Sequence, residues 1–133
     1  MLDSAPVMIT ISIDDIEKAK HFYQNVLGLS VDDSTPGMLQ LKLLRGTELW
    51  LYVKKEHVPA TYTVLNFTVD DLDYTMTEMR KKGVTFEQYD LPDTKTDANG
   101  VVDYGVMKIA FFNDPAGNNH AVLQMVDQDH GTN

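Results

Sequence analysis

Two stretches of this chain carry nearly the same pattern. Ile13-Asp14-Asp15-Ile16 closes an alternating apolar run and opens a helical one, and Val69-Asp70-Asp71-Leu72 does the same further on. In each copy an aspartate is placed to cap a helix, and in each the helical run stops at a glycine, Gly28 or Gly83. A repeated strand-to-helix junction restricts the fold to two modules of like topology.

In the first module Val7 to Ile13 alternates as a strand, with Ile9, Ile11 and Ile13 on one face and Met8, Thr10 and Ser12 on the other. Asp14 or Asp15 supplies the N-cap. Ile16, Ala19, Tyr23, Val26 and Leu27 then recur at helical spacing. Short strands follow at Leu29 to Asp32, Met38 to Leu44 and Glu48 to Val53, separated by turns at Ser34-Thr35-Pro36-Gly37 and Arg45-Gly46-Thr47. The order is β-α-β-β-β. Lys54 to Ala60 is aperiodic and holds Pro59, which marks a linker.

The second module predicts a strand over Tyr62 to Val69, a helix over Leu72 to Lys82 with Leu72, Met76 and Met79 inward, and a strand over Val84 to Gln88. Between Tyr89 and Tyr104 lies a polar segment unusually long for a plain connection, so it is either a lid or an elongated hairpin. Val106 to Phe112 and His120 to Val126 read as strands joined by Asp114-Pro115-Ala116-Gly117-Asn118, where Gly117 supplies the positive φ of a tight turn. Asp127 to Asn133 reads as a frayed tail.

Composition narrows the classes. At 133 residues and 43% hydrophobic, one domain can bury a core without staples. There is no cysteine, so no disulfide, thiolate nucleophile or thiol metal site is available, and a cytoplasmic location is expected. A formal charge of −9 argues against binding a phosphate backbone, and Arg80-Lys81-Lys82 is explained by the dipole at a helix end. No apolar run reads as a signal peptide or membrane span.

A duplicated β-α-β-β-β module of this size resembles the vicinal oxygen chelate superfamily, which includes glyoxalases, bleomycin-resistance proteins and extradiol dioxygenases. The residues that carry the resemblance are Asp15-Ile16 with Phe22-Tyr23 and Leu27-Gly28, Asp71-Leu72 with Lys82-Gly83, and Asp114-Pro115-Ala116-Gly117-Asn118 before the last strand. Lys95-Thr96-Asp97 with Gly100-Val101 is similar to a loop of small, single-domain glyoxalase-like proteins. The resemblance implies an α+β fold in which two βαβββ modules, residues 5–56 and 61–127 of one domain over 1–133, form a cup of curved mixed sheet. The Ile9/Ile11/Ile13, Leu39/Leu41/Leu43, Leu49/Leu51/Val53 and Leu65/Phe67/Val69 sets would then face the helices. Alternation turns Met8, Thr10, Ser12, Gln40, Lys42, Glu48, Trp50, Tyr52, Val64, Asn66, Ala121 and Leu123 toward the cup.

Metal enzymes of that superfamily place His or Glu on the first and last strands of each module. Here those positions fall on Met8, Trp50, Val64 and Ala121, none of which suits a hard divalent ion. His21, His57, His120 and His130 do not converge on another site. No metal or cofactor is therefore expected. The expected ligand-binding residues are Met8, Thr10, Gln40, Lys42, Trp50, Tyr52, Val64, Asn66, Ala121 and Leu123, apolar walls with sparse polar groups. The expected function is metal-independent binding of a small cationic or aromatic compound, in the manner of the bleomycin-resistance group. One alternative is a lyase, isomerase or dioxygenase with an altered site, drawing its acid or base from Glu48, His120 or Tyr104. Another is a dimerisation or regulatory module whose cup is filled. The resemblance also implies a homodimer.

Overall fold

The computed structural model describes residues 1–126. The tail from Asp127, His130 included, lies outside the described residues. The chain divides into two compact units, Met1–Pro59 and Ala60–Asn133, with the boundary in the linker around Pro59.

The first unit runs β1 (Ile9–Ile13), α1 (Ile16–Lys20), a π-helical turn (His21–Val26), β2 (Ser30–Asp32), β3 (Met38–Lys42) and β4 (Glu48–Val53). Its sheet order is β1-β4-β3-β2, with β1 parallel to β4 and the other pairs antiparallel. The second unit repeats this plan with β5 (Leu65–Thr68), α2 (Leu72–Lys81), β6 (Val101–Asp103), β7 (Met107–Asn113) and β8 (Asn119–Met125). Its order is β5-β8-β7-β6, and β5 is parallel to β8. The fold is α+β and glyoxalase-like, with the β-α-β-β-β order read from the repeat in both units.

The two repeated junctions are capped identically. The Asp15 carboxylate accepts from the Lys18 amide at 3.1 Å, and that of Asp71 from the Tyr74 amide at 3.0 Å. Each cap satisfies an otherwise orphaned N–H in the first turn. Behind α1, Ala19 and Tyr23 are buried together with Ile13, Leu39, Leu41, Leu49 and Leu51, so the alternating leucines do face the helix. In the second unit Leu72 and Met76 are buried on α2, as are Phe112, Val122 and His120 of the adjoining strands. The other face of that sheet carries a second cluster, Val102, Ile109, Ala121 and Leu123, with Met107 and Phe111 packed against it.

Three expectations are corrected. The first helix does not stay α-helical to Gly28, because from His21 the turns widen, as in the Leu27 N–H to Phe22 carbonyl bond at 2.9 Å. No proline or glycine marks that change in the sequence. It accompanies the complete burial of Tyr23, a tertiary effect. Val84 to Gln88 is not a strand. Val84 and Phe86 are buried, and Phe86 meets the Phe112 ring edge-on at 6.1 Å, so the alternation there records burial without a ladder. The third correction follows, since the strand that pairs with β7 is Val101–Asp103, inside the segment read as either a lid or an elongated hairpin.

That segment is an ordered hairpin. Asp90 bridges Lys95, the Tyr89 amide donates to Thr96 Oγ1 at 2.9 Å, and Leu91 and Thr94 exchange backbone bonds at 3.0 and 3.3 Å. The Asp97 carboxylate then accepts from the amides of Asn99 and Val101, bending the chain into β6. Gly100 sits at this bend with φ +89°, where a Cβ would stand 3.2 Å from Phe86 Cβ. We expect Gly100→Ala to cost about 2 kcal/mol of stability, from the left-handed backbone together with displacement of Phe86. Gly28→Ala, with φ +74° and nothing within 4 Å, carries the backbone cost alone. Equal urea midpoints for the two variants would show that Phe86 does not close over Gly100.

Candidate functional site

The β7–β8 hairpin holds its turn through one buried carboxylate. Asp114 Oδ1 accepts from the amides of Ala116 at 2.9 Å and Asn118 at 2.8 Å, and Oδ2 accepts from Asn118 Nδ2 at 3.0 Å. The Asp114 and Gly117 amides close the backbone loop at 3.0 Å each. With the turn fixed in this way, Asn113 and Asn119 stand opposite one another at the hairpin's end.

Beside that pair opens a cleft of about 390 Å³, lined by Ala60, Thr61, Tyr62, Thr63, Tyr89, Leu91, Thr94, Phe111, Asn113, Gly117 and Asn119. All eleven belong to the second unit. Tyr89 and Phe111 meet edge-on at 5.5 Å and make an aromatic corner. The polar groups are amides and hydroxyls, and none of the lining residues is charged. Burial, with the Glu87 carboxylate beside it, holds the Tyr89 phenol above its usual value, partly offset by a hydrogen bond with Asn119. Tyr89 therefore stays a neutral hydroxyl at physiological pH. Apolar walls with a few oriented polar groups are the make-up of a small-molecule pocket.

A chain of side-chain bonds runs along the cleft. Thr63 Oγ1 donates to Asn119 Oδ1 at 2.8 Å, Asn119 Nδ2 to Asn113 Oδ1 at 3.1 Å, and Asn113 Nδ2 to Glu87 Oε1 at 2.6 Å. Backbone anchorage at Glu87, whose amide donates to the Phe111 carbonyl at 2.8 Å, fixes the acidic end.

The residues expected from the sequence fall into two groups, one in each unit. In the first unit Thr10, Trp50 and Gln40 share one cross-strand row, Ser12, Tyr52 and Met38 the next, and Lys42 faces Glu48. Met8 precedes β1 and is half exposed. Trp50 Nε1 is buried with no hydrogen-bond partner among the described residues. In the second unit Asn66 lies beside Ala121, Leu123 beside Thr68, and the Val64 amide donates to the Asn119 carbonyl at 2.8 Å. None of the ten lines the cleft, whose walls sequence reasoning missed. One signal was present in the sequence, because Asn113 and Asn119 flank the turn symmetrically and a tight hairpin pairs such positions.

The acid–base candidates sit on different elements. Glu48 is exposed at the start of β4, and the Tyr104 hydroxyl donates to the Asp93 carbonyl at 3.3 Å, tying down the hairpin. His120 is fully buried on the helix side of β8, opposite to Ala121 and Leu123. His57, read as a linker residue, has its Nδ1 2.6 Å from Ser12 Oγ, and His21 Nδ1 pairs with Asn25. Among the described residues no three His, Cys, Asp or Glu side chains gather as a metal ion requires. The thioether, indole and alkyl groups at Met8, Trp50, Val64 and Ala121 do not fit a hard divalent ion, so no chemistry is assigned to one here.

The model of the Glyoxalase/Bleomycin resistance protein/Dioxygenase superfamily matches residues 6–122. The chain belongs to that superfamily. Solved structures agree on the superfamily's fold. A glyoxalase/bleomycin resistance protein/dioxygenase from Alicyclobacillus acidocaldarius is 17% identical with a TM-score of 0.68, each chain covered to 93%. A lactoylglutathione lyase from Agrobacterium tumefaciens is 24% identical over 91% of this chain and 93% of its own, with a TM-score of 0.63. An antibiotic binding protein from Streptomyces is 22% identical over 92% and 98%, with a TM-score of 0.62. No curated protein matches this superfamily member in sequence. No helix among the described residues is long and apolar enough to cross a membrane.

His120 makes the stability of this fold pH-dependent. Burial pushes its pKa down from 6.5 to about 4, against the opposing pull of Asp114, whose Oδ2 lies 3.9 Å from Nε2. The folded ring thus stays neutral while the unfolded chain takes up a proton below about pH 6.5. Its contribution is complete above that pH and is lost as pH falls toward 4, by roughly 2 to 3 kcal/mol between pH 7 and 4.5. Urea unfolding of the wild type and His120→Gln at both pH values should show the smaller acid loss in the variant. Parallel losses would mean that another group sets the slope.

Proposed function

We propose that this superfamily member binds a small aromatic compound in the cleft of its second unit and does so without a metal. The observation that carries the reading is the lining itself. Tyr62, Tyr89, Phe111 and Leu91 supply apolar surface, while Thr61, Thr63, Thr94, Asn113 and Asn119 supply orienting groups. Of the two ligand chemistries suggested by the sequence, the aromatic one has ring surfaces to meet. Glu48, His120 and Tyr104 do not line the cleft, which favours binding over acid–base turnover there.

The fold is shared with an antibiotic binding protein and with a lactoylglutathione lyase, so it accommodates both outcomes. Separately, within the first unit, Trp50 holds a buried indole N–H with no acceptor among the described residues, and a bound acceptor there would relieve that cost. Thr10 and Gln40 flank it on the same row of the sheet.

A thermal-shift screen of uncharged and cationic ring compounds tests the proposal. We expect uncharged aromatic members to raise the melting temperature, with the shift growing as the logarithm of concentration above the Kd. Phe111→Ala should weaken them about tenfold by titration calorimetry, through loss of one aromatic wall. A library without a single stabilising compound would move the protein to a purely structural or regulatory role.

A further inference from the structure

The hydrogen-bond chain along the cleft has a direction, and the direction is set from its charged end. An asparagine amide can present either its oxygen or its NH₂, and its neighbours decide which. Glu87 is a carboxylate and only accepts, so Asn113 must turn its NH₂ toward Oε1, at 2.6 Å. Asn113 Oδ1 is then left for Asn119, which turns its own NH₂ to it at 3.1 Å. Asn119 Oδ1 is left for Thr63, which must donate its single hydroxyl proton, at 2.8 Å. With that proton committed, Thr63 Oγ1 can offer its free lone pairs only to a donor. Tyr89 meets the same asparagine, which leaves the order of the chain unchanged.

We propose that Thr63 is the specificity-determining residue of the cleft, that it accepts from an N–H or O–H group on an aromatic ligand, and that Glu87 is the positioning residue that fixes this polarity through Asn113 and Asn119. The proposal rests on the reading of the cleft as a binding site and names its ligand class, aromatic compounds such as phenols or aryl amines. Each bond in a one-way chain polarises the next, so the Glu87 charge strengthens Thr63 as an acceptor without lining the cleft itself. Ligands whose only polar atoms are acceptors meet a lone pair at Thr63 and lose that contact.

The test uses two neutral probes of one ring system, 2-naphthol and 2-methoxynaphthalene, which differ in the hydroxyl proton. Affinities come from fluorescence titration, and the binding place from chemical-shift changes at Tyr89 and Phe111. We expect the wild type to prefer 2-naphthol about tenfold. Thr63→Val, which keeps the side-chain shape, should reduce the ratio to about two or less. Glu87→Lys presents a donor in place of the acceptor, turns both amides round and frees the Thr63 proton, so its preference should fall below one.

Shifts in the cleft with equal affinity for both probes would leave the binding reading standing and overturn the assignment of Thr63. A tenfold preference that survives Thr63→Val would overturn it as well. If neither probe shifts Tyr89 or Phe111, both the cleft reading and the assignment fall.

Discussion

The buried Asp114 carboxylate is the interaction on which the second unit depends. Its two oxygens accept from the amides of Ala116 and Asn118 and from the Asn118 side chain inside a turn five residues long, which satisfies polar groups that the tight bend takes out of the strand ladder. This holds β7 against β8 in a single register, and β8 carries β5 while β7 carries β6. Slipping that hairpin by one residue would exchange His120 and Val122 for Ala121 and Leu123 on the helix side. It would also separate Asn113 from Asn119. The same turn therefore organises both the sheet and the cleft.

The two faces of β8 differ in their chemistry. On the helix side His120 is held neutral between the Phe112 ring, 5.7 Å away and edge-on, and the Asp114 carboxylate. Burial dominates over the attraction of the carboxylate, which ties stability to pH without placing a proton donor at the cleft. On the other side the residues are apolar until the hairpin's end, where polarity returns as amides and hydroxyls. Neutral groups cost less to keep partly dry than charges do, and they can still orient a ligand.

The repeat was the most legible feature in the sequence. Asp15 and Asp71 cap their helices as their positions predict, and Gly28 and Gly83 end their runs with positive φ. Leu39, Leu41, Leu49 and Leu51 turn toward the helix as strict alternation requires. These features rest on short-range rules that need no knowledge of partners. The segment from Val84 to Val102 was less legible, because alternation at Val84 and Phe86 reports burial and not pairing. The strand that does pair, Val101–Asp103, is only three residues long and emerges from a polar run.

By itself the sequence determined two β-α-β-β-β units, the caps, the apolar faces and the tight turn before the last strand, since each is dictated by local backbone preference or by period. It also determined that Met8, Trp50, Val64 and Ala121 offer no hard metal donors. Only the tertiary structure decided that Tyr89, Leu91 and Thr94 fold back beside Phe111, Asn113 and Asn119 to make a cleft. Likewise, only the tertiary structure decided that Glu87 closes a hydrogen-bond chain reaching Thr63. Apart from Asn113 and Asn119, which the tight turn pairs, those neighbours are far apart in the chain, and their meeting depends on loop closure and sheet register, quantities that no short window of residues encodes.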